Sequence, residues 1–192
     1  MTKPTQIVVA FDFTRSSTPA VERALAIAAQ APTNVLHCVC VLEPHATIGM
    51  LPRQGATDYE YASQLQALIA AELEQRLHAA AHPGNVHFFV HVRIGKPADE
   101  ILQLANELGA DMIIIGTKGL TGVEHLVLGS VAEKVVRGAG CSVEVARAKT
   151  YSDVELVQMV EVEPSHRPYV PPHRYAYEDR RVQMRPKDWP LF

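Results

Sequence analysis

The chain has 192 residues, of which 47% are hydrophobic, so it is long enough for one compact domain with a sizeable core and an appendage. Its 18 lysines and arginines are balanced by 21 aspartates and glutamates, which argues against nucleic acid or an anionic membrane as a partner. The first apolar run is too short for a signal peptide or a membrane span, and the three cysteines lie in strand-like runs, so we expect a soluble cytoplasmic protein with reduced thiols.

Short apolar runs rich in β-branched residues alternate with longer segments of helical period, a pattern typical of βαβ units. The predicted strands, in chain order, are residues 7–11, 35–41, 86–92, 111–116 and 141–147. These runs are nearly continuous in apolar character, as expected for strands covered on both faces. The pattern therefore predicts an α/β fold with a doubly wound, five-stranded parallel sheet.

Four helices are predicted, one between each two consecutive strands. They are one with Thr18 as its cap and Pro19 in its first turn, one at roughly 58–81, one from Pro97 to a C-terminal cap at Gly109, and one from about Ser130 to Arg137. The carboxyl ends of parallel strands are where ligands bind in such sheets. Asp12 follows the first strand and a glycine-rich loop follows the fourth, so both are expected at that edge.

Beyond Lys149 the composition changes, and residues 164–192 hold six of the chain's 13 prolines and its only tryptophan. We therefore divide the chain into a domain at 1–148 and a C-terminal extension at 149–192. The segment 154–162 has the β-branched content of one more strand, with a short helix as the alternative. Because disordered segments are generally poor in aromatic residues, we expect the extension to dock on the domain or on a partner subunit.

Four glycines, at positions 116, 119, 122 and 129, lie in and after the fourth apolar run. Glycine is favoured where the backbone takes a positive φ or where something approaches it closely. A helix N-terminus with free amides binds anions, so Gly129 and Ser130 could offer amides and a hydroxyl to a phosphate, with Lys118 and His125 adding charge. The alternative is that Gly116 and Gly122 only make turns and that Ser130 only caps its helix.

The spacing of the glycines resolves this ambiguity by resemblance. Gly116-x-x-Gly119, nine residues, and then Gly129-Ser130 matches the G-2x-G-9x-G-[S/T] signature of the nucleotide-binding universal stress proteins. The stretch "IVVAFDFTRSS" is similar to that family's opening strand and Asp-containing loop, and the likeness extends from residue 5 to about 148. It implies a flavodoxin-like fold of the adenine nucleotide alpha hydrolase-like kind, ATP binding and a homodimer. Pairing through the open edge of the last strand would form that dimer.

The resemblance also implies which residues hold the nucleotide. Ala10, Phe11 and Asp12 would border adenine and ribose, and Val41 would meet the base. Ribose and phosphates would be held by Gly116, Thr117, Lys118, Gly119, Gly129, Ser130 and Val131. Ala10 and Ser142 stand where the family commonly has proline, and Leu120 stands where it often has arginine. Loss of that arginine leaves AMP, ADP or a cyclic nucleotide as alternatives to ATP, with Mg²⁺ as a companion of the phosphates.

Other chemistry finds less support in the sequence. Four histidines, His78, His82, His87 and His91, resemble a metal set, but no cysteine or carboxylate stands at a characteristic spacing, so no metal site is predicted. No G-x-S-x-G elbow marks a nucleophile, and no catalytic residue is assigned. The preferred function is a nucleotide-binding regulatory module of the stress response with an unknown downstream partner. The alternatives are a slow Mg-dependent ATP hydrolase or nucleotide-dependent transferase, and an interaction module that binds no nucleotide.

Overall fold

The computed structural model describes residues 4–48, 51–80, 86–117 and 128–148, together with residues 177–178 and 181–182. The chain divides into two compact units, Met1–Lys149 and Thr150–Phe192. In the first unit the elements are β1 Gln6–Ala10, α1 Thr18–Ala28, β2 Val35–Leu42, α2 Asp58–Ala79, β3 His87–Ile94, α3 Pro97–Leu108, β4 Met112–Gly116, α4 Ser130–Gly138 and β5 Ser142–Ala146. Each lies within two residues of its predicted bounds.

The five strands form one sheet in the order β3-β2-β1-β4-β5, and every pair is parallel. The predicted fold class is therefore confirmed. The order reverses between β1 and β4, whereas in flavodoxin itself the reversal lies between the first and third strands. Ligands in open α/β sheets bind beyond the carboxyl ends of the strands at such a reversal. Here that place lies between the ends of β1 and β4.

Helices cover both faces of the sheet. One face packs against α1 and α2, with Ile7, Val9 and Leu36 in its core. The other face packs against α3 and α4, with Val8, Val39 and Ile113 in its core. Alternate residues of each strand point to opposite faces, so the continuous apolar runs of the sequence supply both cores at once.

Two cysteines, Cys38 and Cys40, lie on the α1 and α2 side of β2 and are completely buried. Burial is the main cause that raises the pKa of both thiols, that of Cys40 to about 12. A thiol held in its neutral form is a poor nucleophile and a poor metal ligand. The two side chains therefore act as small apolar residues, as the sequence predicts.

The helix ends show where local sequence signals were accurate. Gly109 ends α3 in the left-handed conformation, with φ of 58°, as predicted. The cap of α1 is Ser17 and not Thr18, which is the first helical residue. The capping box of α2 was not predicted: Thr57 Oγ1 accepts a hydrogen bond from the Glu60 amide, and the Glu60 carboxylate accepts one from the Thr57 amide at 2.8 Å.

Within the second unit, the described residues form an antiparallel pair of two-residue strands, β6 Tyr177–Glu178 and β7 Arg181–Val182. The segment 154–162, for which the sequence predicts a strand or a short helix, lies outside the described residues. Among the helices that the structure describes, none combines the length and the apolar character needed to cross a membrane.

Candidate functional site

A cavity of about 620 Å³ lies beyond the carboxyl ends of β1, β2 and β4. This volume suits a small organic ligand. The structure brings eight of the eleven predicted site residues into its lining: Ala10, Phe11, Asp12, Val41, Gly116, Gly129, Ser130 and Val131. Thr117 does not line the cavity, but its carbonyl accepts the Gly129 amide at 2.7 Å. Lys118 and Gly119 lie outside the described residues, as do Gly122 and His125.

One side of the cavity is apolar. Val39 and Val41 of β2 face Ala98 and Ile101 of α3, and Ile115 of β4 completes this surface. Sequence reasoning missed four of these five residues. Val39 could have been found, because it lies two positions before Val41 on the same face of the strand. The contribution of α3 could not, because no local signal says which helix end approaches which strand end.

The loop between β1 and α1 holds Asp12 in a fixed orientation. Asp12 Oδ1 accepts hydrogen bonds from the Thr14 amide at 3.0 Å and from Thr14 Oγ1 at 2.6 Å. Phe13, between them, has φ of 62°, a left-handed value that a bulky residue seldom adopts. Asp12 Oδ2 makes no hydrogen bond within the described residues. The loop therefore presents one carboxylate oxygen that is already engaged and one that is available to a ligand.

Gly116 is required by the close approach of this same loop. A Cβ placed on Gly116 would lie 2.2 Å from the Ser16 carbonyl oxygen and 3.1 Å from Ser17 Cα. Its φ is not in the left-handed range. The expectation of a turn or a positive φ at Gly116 is therefore wrong. What approaches this glycine most closely is the protein's own backbone, although Gly116 also lines the cavity.

The backbone at position 129 does not require glycine, because its φ of -72° and ψ of 157° suit any residue. Gly129 is the N-cap of α4, and Ser130 is the first helical residue, so the alternative in which Ser130 caps the helix is wrong. The Gly129 amide donates to Thr117 and is not free to meet a phosphate, contrary to the sequence-based expectation. The free amides are those of the next three residues, which make no hydrogen bond within the described residues.

These three residues are Ser130, Val131 and Ala132, and all of them line the cavity. Amides in the first turn of a helix point out of its N-terminus, where the helix dipole adds partial positive charge. The cavity thus combines an apolar side with the Ser130 hydroxyl and a group of backbone donors that no described residue engages. An anion attached to a flat apolar group would satisfy both parts.

Comparison with known proteins agrees with this geometry. The family model described as "Universal stress protein family" matches residues 4–147. The chain belongs to the universal stress protein family. A universal stress protein of Methanocaldococcus jannaschii is 32% identical over 142 residues, which are 74% of this chain and 81% of that protein.

Two solved structures are similar to this universal stress protein over most of its length. UspA from Lactobacillus plantarum has a TM-score of 0.60 and 22% identity, covering 77% of this chain and 100% of that one, and shows the shared fold. A universal stress protein solved in complex with cAMP has a TM-score of 0.53 and 26% identity, covering 74% of this chain and 96% of the other.

Among the residues that the structure describes, five charged side chains line the cavity of this universal stress protein: Asp12, Glu43, Lys96, Asp99 and Lys134. Lys134 lies one helical turn after Ser130, so both residues share a face of α4, and helical side chains lean toward the N-terminus. Neither lysine forms an ion pair within the described residues. The lysine at position 134 thus places a positive charge beside the free amides. Sequence reasoning missed it, although the spacing of four from Ser130 was a usable signal.

The four histidines considered as a metal set, and set aside in the sequence analysis, are not seen together among the described residues. His78 and His87 are exposed, and His82 lies outside the described residues. His91 instead contacts His37, with 3.0 Å between Nδ1 of His37 and Nε2 of His91. Burial lowers the pKa of both rings, that of His37 to about 4. In the part of the chain that the structure describes, no three residues of the metal-binding types lie close enough to hold a metal ion.

Proposed function

We propose that this universal stress protein binds an adenine nucleotide in the cavity and acts as a nucleotide-dependent regulatory module. The observation that carries the proposal is the meeting, in one cavity, of an apolar side with a hydroxyl and three amides at the N-terminus of α4 that have no hydrogen-bond partner among the described residues. A nucleotide has the same division, with a flat base at one end and phosphates at the other. The solved relative in complex with cAMP supports an adenine nucleotide over other ligands of this shape.

The proposed orientation follows from the two ends of the cavity. The base would lie against Val39, Val41 and Ile101, where burial of apolar surface is favourable. The available oxygen of Asp12 would accept hydrogen bonds from ribose hydroxyls. The phosphates would lie at Ser130, where backbone amides and the helix dipole stabilise negative charge.

We propose ATP as the preferred nucleotide over AMP and ADP. The family often has arginine at position 120, and the leucine at this position is the argument for the shorter nucleotides. Lys134 supports the longer phosphate chain, because its ammonium group can reach past Ser130 toward a terminal phosphate. Mg²⁺ would arrive with the phosphates, which usually supply part of its coordination in nucleotide sites.

We further propose a cytoplasmic homodimer that pairs through β5, with an unidentified downstream protein as the partner. The strand β5 lies at one edge of the sheet, and Val145 on it is 36% exposed. Val136 of the neighbouring helix is 45% exposed. Exposed edge strands with apolar side chains invite pairing. Light scattering at micromolar concentration should give the mass of a dimer, and a monomer alone would contradict this part of the proposal.

The test of binding begins with mass spectrometry of small molecules released from freshly purified, denatured protein. Titration calorimetry with ATP, ADP, AMP and cAMP, each with and without Mg²⁺, then ranks the ligands. Phosphate release measured in parallel with excess Mg-ATP separates binding from slow hydrolysis. Protein that carries no nucleotide and gains no thermal stability from any of them would contradict the proposal.

Two variants locate the phosphate end. Gly129→Val should lower ATP affinity toward the millimolar range, because a branched side chain would block the amides, while the extended backbone of Gly129 tolerates valine. Ser130→Ala should weaken ATP binding by about tenfold, since one hydroxyl contact is lost. The matched controls are Gly140→Val, where nothing lies within 4 Å of an added Cβ, and Ser142→Ala, on an exposed residue outside the cavity. Unchanged affinity in a folded Gly129→Val protein would refute this placement.

A further inference from the structure

Between β2 and α2 the structure describes residues 43–48 and 51–57, which have no regular secondary structure, and part of this connection forms one side of the cavity. Ala46, Thr47 and Ile48 line the cavity, and we call residues 46–48 the loop wall. A wall made of irregular backbone keeps its shape only if its polar groups are held by other parts of the protein. Two side chains outside the wall hold it.

The first is Tyr61, in the first turn of α2, which is fully buried. Its hydroxyl accepts the Ile48 amide at 2.9 Å. The same oxygen lies 3.3 Å from the Ile48 carbonyl and 3.1 Å from the Leu51 carbonyl, so its single proton is donated to one of these acceptors. The tyrosine thus holds the amide of a cavity-lining residue, and one of two carbonyls of the loop, from inside the core.

The second is Arg53, which contacts the other end of the loop wall, at Ala46. Its Nη1 donates to the Ala46 carbonyl at 3.2 Å, and its Nε donates to the Ala56 carbonyl at 3.2 Å. Its guanidinium forms an ion pair with Asp58 and lies over the Tyr61 ring, with 5.4 Å between Cζ and the ring centroid. The ion pair holds the guanidinium in the geometry that ties Ala46 to the start of α2.

The position of the loop wall in the fold indicates which part of a ligand it would touch. It follows β2, whose Val39 and Val41 form the apolar side of the cavity. The free amides of α4 follow β4, and β1 separates β4 from β2 in the sheet. The loop wall therefore borders the end of the cavity where the base and ribose would bind, away from the phosphate end.

We propose that Tyr61 and Arg53 are positioning residues that hold the loop wall against the nucleoside part of the ligand and thereby set its affinity and its rate of dissociation. The proposal rests on the proposed function of the cavity. Neither residue touches the ligand, since neither lines the cavity. Each acts through a cavity-lining residue, Tyr61 through Ile48 and Arg53 through Ala46.

The central test is Tyr61→Phe, which removes the hydroxyl and keeps the buried ring. The matched control is Tyr59→Phe in the same helix, because Tyr59 is 81% exposed. Binding of adenosine, ATP and inorganic tripolyphosphate is measured by calorimetry, and dissociation is followed with a fluorescent ATP analogue. Adenosine and ATP should bind about three- to tenfold more weakly to Tyr61→Phe, with faster dissociation, and tripolyphosphate should bind as it does to wild type.

A role in folding alone would give a different result. Loss of folded protein would lower the fraction that binds and would leave the ratio of ATP to tripolyphosphate affinity unchanged. Unchanged binding of all three ligands, or equal weakening of all three, overturns the proposal. Arg53→Lys is the second variant. It keeps the charge but not the planar guanidinium, and it should also weaken the binding of adenosine.

Hydrogen exchange separates this proposal from the proposed function. The Ile48 amide should be protected in the wild type and should exchange at least about tenfold faster in Tyr61→Phe, with or without nucleotide. Equal exchange in the two proteins shows that the hydroxyl does not hold the loop wall and overturns the proposal. Wild-type protein that protects Ile48 but binds no nucleotide overturns the proposed function, and with it the ligand role assigned to Tyr61 and Arg53.

Discussion

Replacing Gly116 by alanine tests whether the β1–α1 loop is held in place by its close approach to the end of β4. The added Cβ would lie 2.2 Å from the Ser16 carbonyl oxygen, 2.8 Å from the Ser16 carbonyl carbon and 3.1 Å from Ser17 Cα. All three are backbone atoms, so no side-chain rotation relieves the contact. The loop would have to move by roughly 1 Å to restore van der Waals separation.

The expected cost has two parts. Forcing one extra carbon into a packed site costs about 1–3 kcal/mol of the free energy of unfolding. Movement of the loop also disturbs the hydrogen bonds between Asp12 and Thr14, each worth about 0.5–1.5 kcal/mol. We expect a total loss of about 2–4 kcal/mol and a decrease in Tm of about 6–12 °C. Because Asp12 lies on the displaced loop, ATP affinity should also decrease.

Urea unfolding followed by circular dichroism measures the stability, and calorimetry with Mg-ATP measures the affinity. The matched control is Gly140→Ala, because no atom lies within 4 Å of a Cβ at Gly140 and its φ is not in the left-handed range. We expect that variant to stay within about 0.5 kcal/mol of wild type. If Gly116→Ala is as stable as Gly140→Ala, the close approach of Ser16 does not constrain the site and the reasoning is refuted.

Three further predictions concern pH, helix capping and phosphate length. The pKa of His37 is lowered from 6.5 to about 4, so the unfolded chain binds the proton more readily than the folded one. The free energy of unfolding should therefore be constant above about pH 6.5 and lower by about 2 kcal/mol at pH 5. Urea unfolding of His37→Gln should show a weaker dependence of stability on pH, and an equally steep dependence would contradict the assignment. Thr57→Ala should lower the free energy of unfolding by about 1 kcal/mol by removing the capping box of α2, whereas no change in urea unfolding would show that the box contributes nothing. Lys134→Ala should weaken ATP more than AMP in calorimetry, and equal weakening would remove Lys134 from the terminal phosphate.

The sequence was sufficient for the sheet and its helices because their signals are local. Apolar runs predicted all five strands, and Pro97 and Gly109 marked the two ends of α3. The fold also follows from connectivity, since parallel strands joined by helices form a doubly wound sheet. The order of the strands is a consequence of packing between distant segments, and periodicity carries no information about it.

The site was predicted less completely because its contacts join distant parts of the chain. The neighbour that makes Gly116 necessary is Ser16, one hundred positions earlier. His37 and His91 meet across two strands, and the hydroxyl of Tyr61 reaches back to Ile48. The first two contacts join residues more than fifty positions apart, and the third joins a helix to an irregular loop whose path no periodicity indicates. The glycine spacing identified the family, but it did not separate glycines that serve packing from glycines that serve a ligand.

That separation changes how the glycine signature is understood in this chain. Gly116 allows the Asp12 loop to pack on the end of β4, and this packing brings an acidic residue from the start of the domain beside a helix from its end. Gly129 has an ordinary extended backbone and an amide already bound to Thr117, so neither conformation nor its own donor explains a glycine there. Under the proposed function what remains is space, since we expect a side chain at Gly129 to obstruct a phosphate at the amides of Ser130 and Val131. The first glycine of the signature therefore allows the close packing beside the cavity, and under the proposed function the last one leaves space for a ligand.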